Sequence, residues 1–217
     1  MVAVEDFTNI DCSGCNDIKD SVDKIFGEFA GRIAPIRYHV DWPNPVDPFH
    51  LYNPTDVNTR KSYYTVSYAP SFRFDGKKLK DPYQFPAYVF FYEWMRGTLD
   101  SLSAIPSKLR IRIEQEANLE SVYVDYDIVA VDTAGNFLIQ VAVVEDSSTA
   151  DSIGFKRIMR DMIPTGGGSA VSLALGDSVH YKRGYPLPLG ETDLHTMIWL
   201  QQPGTKRILQ SAYSRVQ

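Results

Sequence analysis

The chain is poor in cysteine and histidine. It has only Cys12 and Cys15, spaced C-x-x-C, and four histidines, His39, His50, His180 and His195. Two cysteines so close together cannot staple a small disulfide framework, so the fold must rest on its own cores. One C-x-x-C offers at most two thiolate ligands, and no histidine pair has H-x3-H or H-E-x-x-H spacing, so no metal is expected. No run approaches the ~18 apolar residues of a membrane helix. The most apolar stretch, Phe85 to Met95, contains a proline and a glutamate. No cleavable signal peptide is visible, because Met1 leads straight into a strand-like run. That start fits a cytoplasmic chain or a mature exported one with an added Met. Basic excess is also missing. Lys and Arg number 22 against 27 Asp and Glu, a net charge of -5. Residues 1–105 carry 11 basic and 14 acidic residues, and residues 106–217 carry 11 and 13. Neither half has the clustered cations that nucleic-acid binding requires. The Gly166–Gly168 run lacks the G-x4-G-K-[ST] pattern of a phosphate loop, and no nucleophile elbow occurs, so neither a nucleotide cofactor nor hydrolase chemistry is indicated.

What is present is an ordinary folded composition. Of 217 residues, 44% are hydrophobic and 23% charged, enough apolar surface to offset the entropy of ordering. At ~150 residues per domain this allows one large domain or two small ones. The N-terminal pattern is α/β. Val2 to Phe7 reads as a strand. Ile18, Val22, Ile25, Phe26 and Phe29 then lie on one face of a helix opening near Cys15, and Gly31 stops it. Ile33 to Val40 reads as a second strand, parallel to the first. Asp41 to Pro54 holds four prolines and is expected to be an extended loop, either a rigid connector or a lid over the cysteines. Thr55-Asp56 caps a short helix running to about Tyr64. Ser71 to Phe74 is a strand that turns at Asp75-Gly76 into a return strand, Lys77 to Lys80. Tyr88 to Leu102 keeps helical spacing, and Pro106 marks a break.

Beyond Pro106 the pattern becomes mostly β. Leu109 to Ile113, Val122 to Val131, Phe137 to Val144, Val171 to Leu175, Met197 to Gln201 and Ile208 to Tyr213 read as strands. Ile153 to Met162 is less clear and is expected to form a short helix. Several short strands with regular turns suggest a sandwich, so the division falls at 1–105 and 106–217.

The candidate chemistry centres on Cys12-Ser13-Gly14-Cys15, which follows a strand and opens a helix. A thiol there meets unpaired N–H groups and the positive end of the helix dipole, and both favour the nucleophilic thiolate. A second thiol one turn on can resolve a mixed disulfide. Asp6 lies on the strand beneath the motif and could take a proton from the resolving thiol, a role Glu5 would inherit if the strand faced the other way. His39, near the C-terminal end of the second strand, sits where parallel sheets carry their sites and could support a thiolate. A satisfied, non-catalytic histidine is the competing reading. Asp11, beside Cys12, opposes thiolate formation.

Residues 1–105 resemble a thioredoxin-like domain through Val4-Glu5-Asp6-Phe7-Thr8, the Cys12–Cys15 motif, the Tyr-X-Val-X-X-X-Pro run from Tyr64 to Pro70, and Phe72-Arg73-Phe74-Asp75-Gly76. The whole chain resembles the twenty-eight-kilodalton outer membrane protein family of Bacteroidetes-type bacteria. That match adds Arg157-X-X-Arg160-X-X-Ile163-Pro164 with the following glycines, and Ile198-Trp199-Leu200-Gln201-Gln202 leading to Leu209-Gln210-Ser211-Ala212. The resemblance implies an α/β thioredoxin-like domain followed by an all-β, immunoglobulin-like sandwich. It also implies a cis-proline at Ala69-Pro70 facing the cysteines, the one bond type at which cis is cheap. Where thioredoxin-like proteins usually have an aromatic before the first cysteine, this chain has Asp11. The first functional reading is a thiol–disulfide oxidoreductase for exported proteins. In it Cys12 attacks, Cys15 resolves, Asp6 moves the proton and Pro70 shapes a groove with Ser13, Gly14, Ala69 and His39. The second is a non-catalytic envelope protein with a structural disulfide and an adhesion or assembly sandwich. Partners would be protein thiols and disulfides in one case and another envelope protein in the other. The resemblance implies a periplasmic, outer-membrane-associated or extracellular location.

Overall fold

A computed structural model describes residues 1–117, 121–150, 152–186 and 193–214. In chain order the elements are β1 (Val2–Thr8), α1 (Ser13–Glu28), β2 (Ile33–His39), α2 (Pro48–Tyr52), α3 (Pro54–Tyr63), β3 (Ser71–Phe74) and α4 (Tyr88–Ser103). Strands β4 (Leu109–Ala117), β5 (Ser121–Ala130), β6 (Gly135–Ala150), β7 (Ile153–Met162), β8 (Ser169–Leu173), β9 (Ser178–Pro186), β10 (Leu194–Gln201) and β11 (Ile208–Tyr213) follow. Among the described residues the protein is mixed α/β with two sheets. The larger runs β11-β10-β6-β7-β2-β1-β3 with β8 also on β6, and the smaller runs β4-β5-β9.

β1 and β2 are parallel in full register, with Asp6 opposite Arg37 and Thr8 opposite His39, while β3 is antiparallel to β1. Alternation gives β1 two different faces. Val2 and Val4 meet Ile18, Val22, Ile25 and Phe26 of α1 and Phe91, Met95 and Leu99 of α4. Ala3 and Phe7 point the other way, into a core shared with Met159, Met197, Trp199 and Ile208. α1 forms because its apolar residues recur at helical spacing, and Gly31 at φ +78° turns the chain toward β2.

The large sheet curls until its ends meet. β7 joins β2 through a parallel pairing of Arg37 with Ile158. At the far end, the Ile208 N–H donates to the Asp75 carbonyl just beyond β3, and the Ser211 hydroxyl donates to the Met1 carbonyl. The core inside this curl draws on both 1–105 and 106–217. The smaller sheet packs on the outside of β6 and β10, where Val122, Val124, Tyr126 and Ile128 meet Val141, Val143, Ile198 and Leu200. The middle of β6, from Ile139 to Val144, and β10 from Met197 to Leu200 are therefore buried on both faces and read as apolar apart from Gln140.

Four expectations are corrected. The segment 41–54 is not wholly extended, because Asp47 accepts the Phe49 N–H and starts the α2 turn. The cap of α3 is Asn53, whose side chain accepts the Asp56 N–H, rather than Thr55 or Asp56. Lys77 to Lys80 is not a strand, since only Phe74 and Lys77 form a bridge. Ile153 to Met162 is a strand and not a helix. A bulge displaces Arg160 from the β6 pairing, which brings Ile158, Met159 and Met162 to helix-like spacing. No helix among the described residues is long and apolar enough to cross a membrane.

Candidate functional site

Cys12 is the N-cap of α1. Its sulfur accepts the Cys15 N–H at 3.1 Å, and its carbonyl accepts the Asn16 N–H. The two cysteines form a disulfide with Cα atoms 5.2 Å apart. Both are buried, Cys12 at 7% and Cys15 at 2% exposure. Ser13 is exposed beside them. The Ala69–Pro70 peptide is cis. A Cβ placed on Gly14 would stand 3.6 Å from both the Pro70 ring and the Tyr88 hydroxyl, so the motif and the proline loop lie in contact range. Tyr88 therefore joins the site, where the sequence shows it only as the start of the helical spacing from Tyr88 to Leu102.

The loop from Asn9 to Cys12 is held from several sides. Asn9 Nδ2 donates to the carbonyls of Val40 and Asn44, Asn16 Nδ2 donates to the Ile10 carbonyl, and the Ile10 N–H donates to Asp47 Oδ2 at 2.8 Å. The same Asp47 oxygen accepts from His39 Nδ1 at 2.8 Å. His39 is buried between Phe49 and Phe155. Burial holds its pKa below the ordinary range against the pull of Asp47, so the ring is neutral and donates. His39 thus reaches the cysteine loop through Asp47 and does not line the crevice under the pair.

That crevice is walled by Asp6, Thr8, Cys15, Ile18, Lys19, Val22, Arg37 and Pro70 and is too tight for a water molecule. Asp6 faces this side, and Glu5 faces the opposite core. Asp6 Oδ2 accepts from Arg37 Nε at 2.9 Å, while its buried Oδ1 has no partner among the described residues. Burial pushes the Asp6 pKa up and Arg37 draws part of that back. Burial also pulls on the Arg37 guanidinium, but Asp6 and Asp23 outweigh it and keep its pKa above the ordinary value. Arg37 is the residue sequence reasoning missed. Its signal was present as a lone arginine in the otherwise apolar run Ile33 to Tyr38, since a buried charge must find a partner.

Among the described residues one group, Asp146, Asp193 and His195, brings potential metal-ligand atoms within 4.8 Å of one another. Arg157 already pairs with Asp146, and His195 Nδ1 lies 2.9 Å from the Ser214 carbonyl. These contacts satisfy the cluster as an ion-pair network.

Fold and site together define a mixed α/β protein with a disulfide-bonded C-x-x-C at a helix N-terminus beside a cis-proline. No family model matches the chain, and no curated protein matches it. Among solved structures, HBP35 of Porphyromonas gingivalis is similar over 99% of this chain and 74% of its own, with TM-score 0.79 and 12% identity. A protein from Agrobacterium tumefaciens is similar over 99% and 93%, with TM-score 0.65 and 16% identity. At these identities the likeness is one of fold. A domain of the outer membrane lipoprotein Omp28 from P. gingivalis covers 51% of this chain at TM-score 0.40 and 13% identity, a likeness too low to carry an argument.

Proposed function

We propose that residues 1–105 are a thioredoxin-like domain joined to an immunoglobulin-like sandwich at 106–217, and that the Cys12–Cys15 pair exchanges disulfides with exported protein substrates. The observation that carries this reading is Gly14 against cis-Pro70, with the buried carboxylate of Asp6 lining the crevice beside Cys15. In the reduced protein, a Cys12 thiolate would keep the Cys15 N–H as a charge-assisted donor and gain from the α1 dipole. Cys12 attacks, Cys15 resolves, and Asp6 receives the Cys15 proton. Ser13, Gly14, Ala69 and Pro70 border the groove in which a partner chain would lie extended. A disulfide persists in oxidising compartments, which agrees with a periplasmic, outer-membrane-associated or extracellular location.

The burial of Cys12 and the charge of Asp11 favour a second reading, a structural disulfide in an envelope protein whose sandwich serves adhesion or assembly. Titration of the pair against glutathione, read by thiol alkylation with Cys15→Ser as control, separates the two. Exchange activity requires a midpoint between about -120 and -270 mV. A midpoint below about -300 mV, with Cys12 unreactive near pH 7, makes the pair a staple.

A further inference from the structure

Arg37 is fully buried and charged, and five groups hold it. Its Nε donates to Asp6, its Nη1 donates to Asp23 of α1 at 2.6 Å, and the same nitrogen donates to the Lys156 carbonyl of β7 at 3.2 Å. Its plane lies 5.6 Å from the Phe26 ring and 5.9 Å from the Phe155 ring. Lys156 and Phe155 belong to β7, more than a hundred residues away along the chain, at the single point where β7 pairs with β2. An arginine needs several fixed acceptors to keep its fork in one orientation. Here one of the three acceptors, the Lys156 carbonyl, and one of the two rings, Phe155, come from residues 106–217.

We infer that Arg37 is a positioning residue for the resolving half of the exchange, aimed at Asp6 by Asp23 and by β7, so that the C-terminal half is a working part of the redox site. This rests on the exchange reading above. In the step concerned, Cys12 is joined to a partner sulfur. The Cys15 thiol gives its proton to Asp6 Oδ1, the unpartnered oxygen. The Cys15 sulfur then attacks Cys12, the Cys12–Cys15 bond forms, and the bond to the partner breaks. The partner sulfur leaves as a thiolate with the electron pair, so the protein's pair is oxidised and the partner reduced. Asp6 can accept that proton only while ionised, and the fixed guanidinium is what keeps a buried carboxylate ionised in a crevice without water. The charged groups facing Asp6 are Arg37 on β2, Asp23 and Lys19 on α1, and Asp81 in the segment between β3 and α4.

The test uses the full chain, reduced, mixed with 5,5′-dithiobis(2-nitrobenzoate) from about pH 4 to 8. The first nitrothiolate released reports attack by Cys12, and the second reports attack by Cys15. The second phase of the wild type should slow on the acid side as Asp6 takes up a proton. Arg37→Gln should move that acid limb up by about one pH unit, a roughly tenfold slowing within the limb. Phe155→Leu should move it the same way by about two- to threefold. If Arg37→Gln proves poorly folded, the charge-balanced pair Asp6→Asn with Arg37→Gln serves instead. Its second phase should lose the limb and keep rising toward the thiol's own range near pH ~8.5. An unmoved limb in Arg37→Gln, or an unchanged profile in the double variant, overturns the role of Arg37. A shift in Arg37→Gln with none in Phe155→Leu overturns the contribution of β7. A wild type with no second phase at any pH overturns the exchange reading itself, and this inference with it.

Discussion

Asp75 shows how a single side chain can carry a pH dependence unrelated to the cysteines. It follows β3 at φ +47°, and its Oδ1 accepts the Ala3 N–H at 2.8 Å. Burial raises its pKa from the ordinary 3.8 to about 6, with the Ala3 N–H pulling in the opposite direction. The folded protein therefore binds this proton more tightly than the unfolded chain does. Stability contributed here is present below about pH 4 and falls as pH rises to about 6, beyond which the loss is complete. Asn tolerates the left-handed region, and its carbonyl oxygen can keep the bond to Ala3, without a charge to bury. Asp75→Asn should therefore stabilise the protein by about 1–3 kcal/mol at pH 7 and flatten this window. Urea melts at pH 4, 5, 6 and 7 check both effects. Equal slopes in variant and wild type would show that Asp75 is not the group responsible.

At the scale of elements, the pieces with one clean period were legible and those with mixed duties were not. α1 and α4 read correctly because Ile18, Val22, Ile25 and Phe91, Met95, Leu99 each repeat on one buried face. β9 went unseen because it is the edge strand of the small sheet, and along it only Tyr185 is fully buried. β7 was misread because its bulge breaks the two-residue period. The cysteine pair, Asp6 and the cis bond at Pro70 were visible as residues, but Arg37 and Asp47 were not. Their importance lies in partners brought together by register and by a loop. Asp47 links three of these pieces at once, since it starts α2, holds His39 and receives the Ile10 N–H. Asp47→Ala would leave that N–H and the His39 ring without their acceptor in a buried place. Each such loss costs about 1–3 kcal/mol, so a total loss of about 2–6 kcal/mol is expected, together with faster amide exchange at Ile10. Exchange that stays slow at Ile10 would mean the Asn9 and Asn16 bonds hold the loop without help.

The whole molecule is organised around the core inside the curled sheet, which neither half can complete alone. Phe7, Ile36 and Tyr38 come from the N-terminal half, and Met159, Met197 and Trp199 come from the C-terminal half. A polar knot crosses the same boundary. Glu5 and Arg60 pair at 2.7 Å with both side chains fully buried, Tyr64 donates to Glu5, and Gln201 of β10 donates to the Tyr64 hydroxyl at 2.6 Å. The Arg60 guanidinium also lies over Trp199 at 5.4 Å. Separating the halves would uncover an apolar sheet face and remove the Gln201 bonds to Arg60 and Tyr64. The protein should therefore unfold as one unit, although its sequence divides by pattern near Pro106. The molecule supplies its own probes for this. All four α-helices among the described residues lie within 1–105, so far-ultraviolet circular dichroism follows the N-terminal half. In the variant with Trp42→Phe and Trp94→Phe, fluorescence comes from Trp199 alone and follows β10. Urea titrations by the two signals should give coincident midpoints and equal slopes, the mark of a two-state transition. If helix is lost at lower urea than Trp199 emission, the C-terminal half stands without the N-terminal one. In that case the shared core is a docking surface between two independently stable parts.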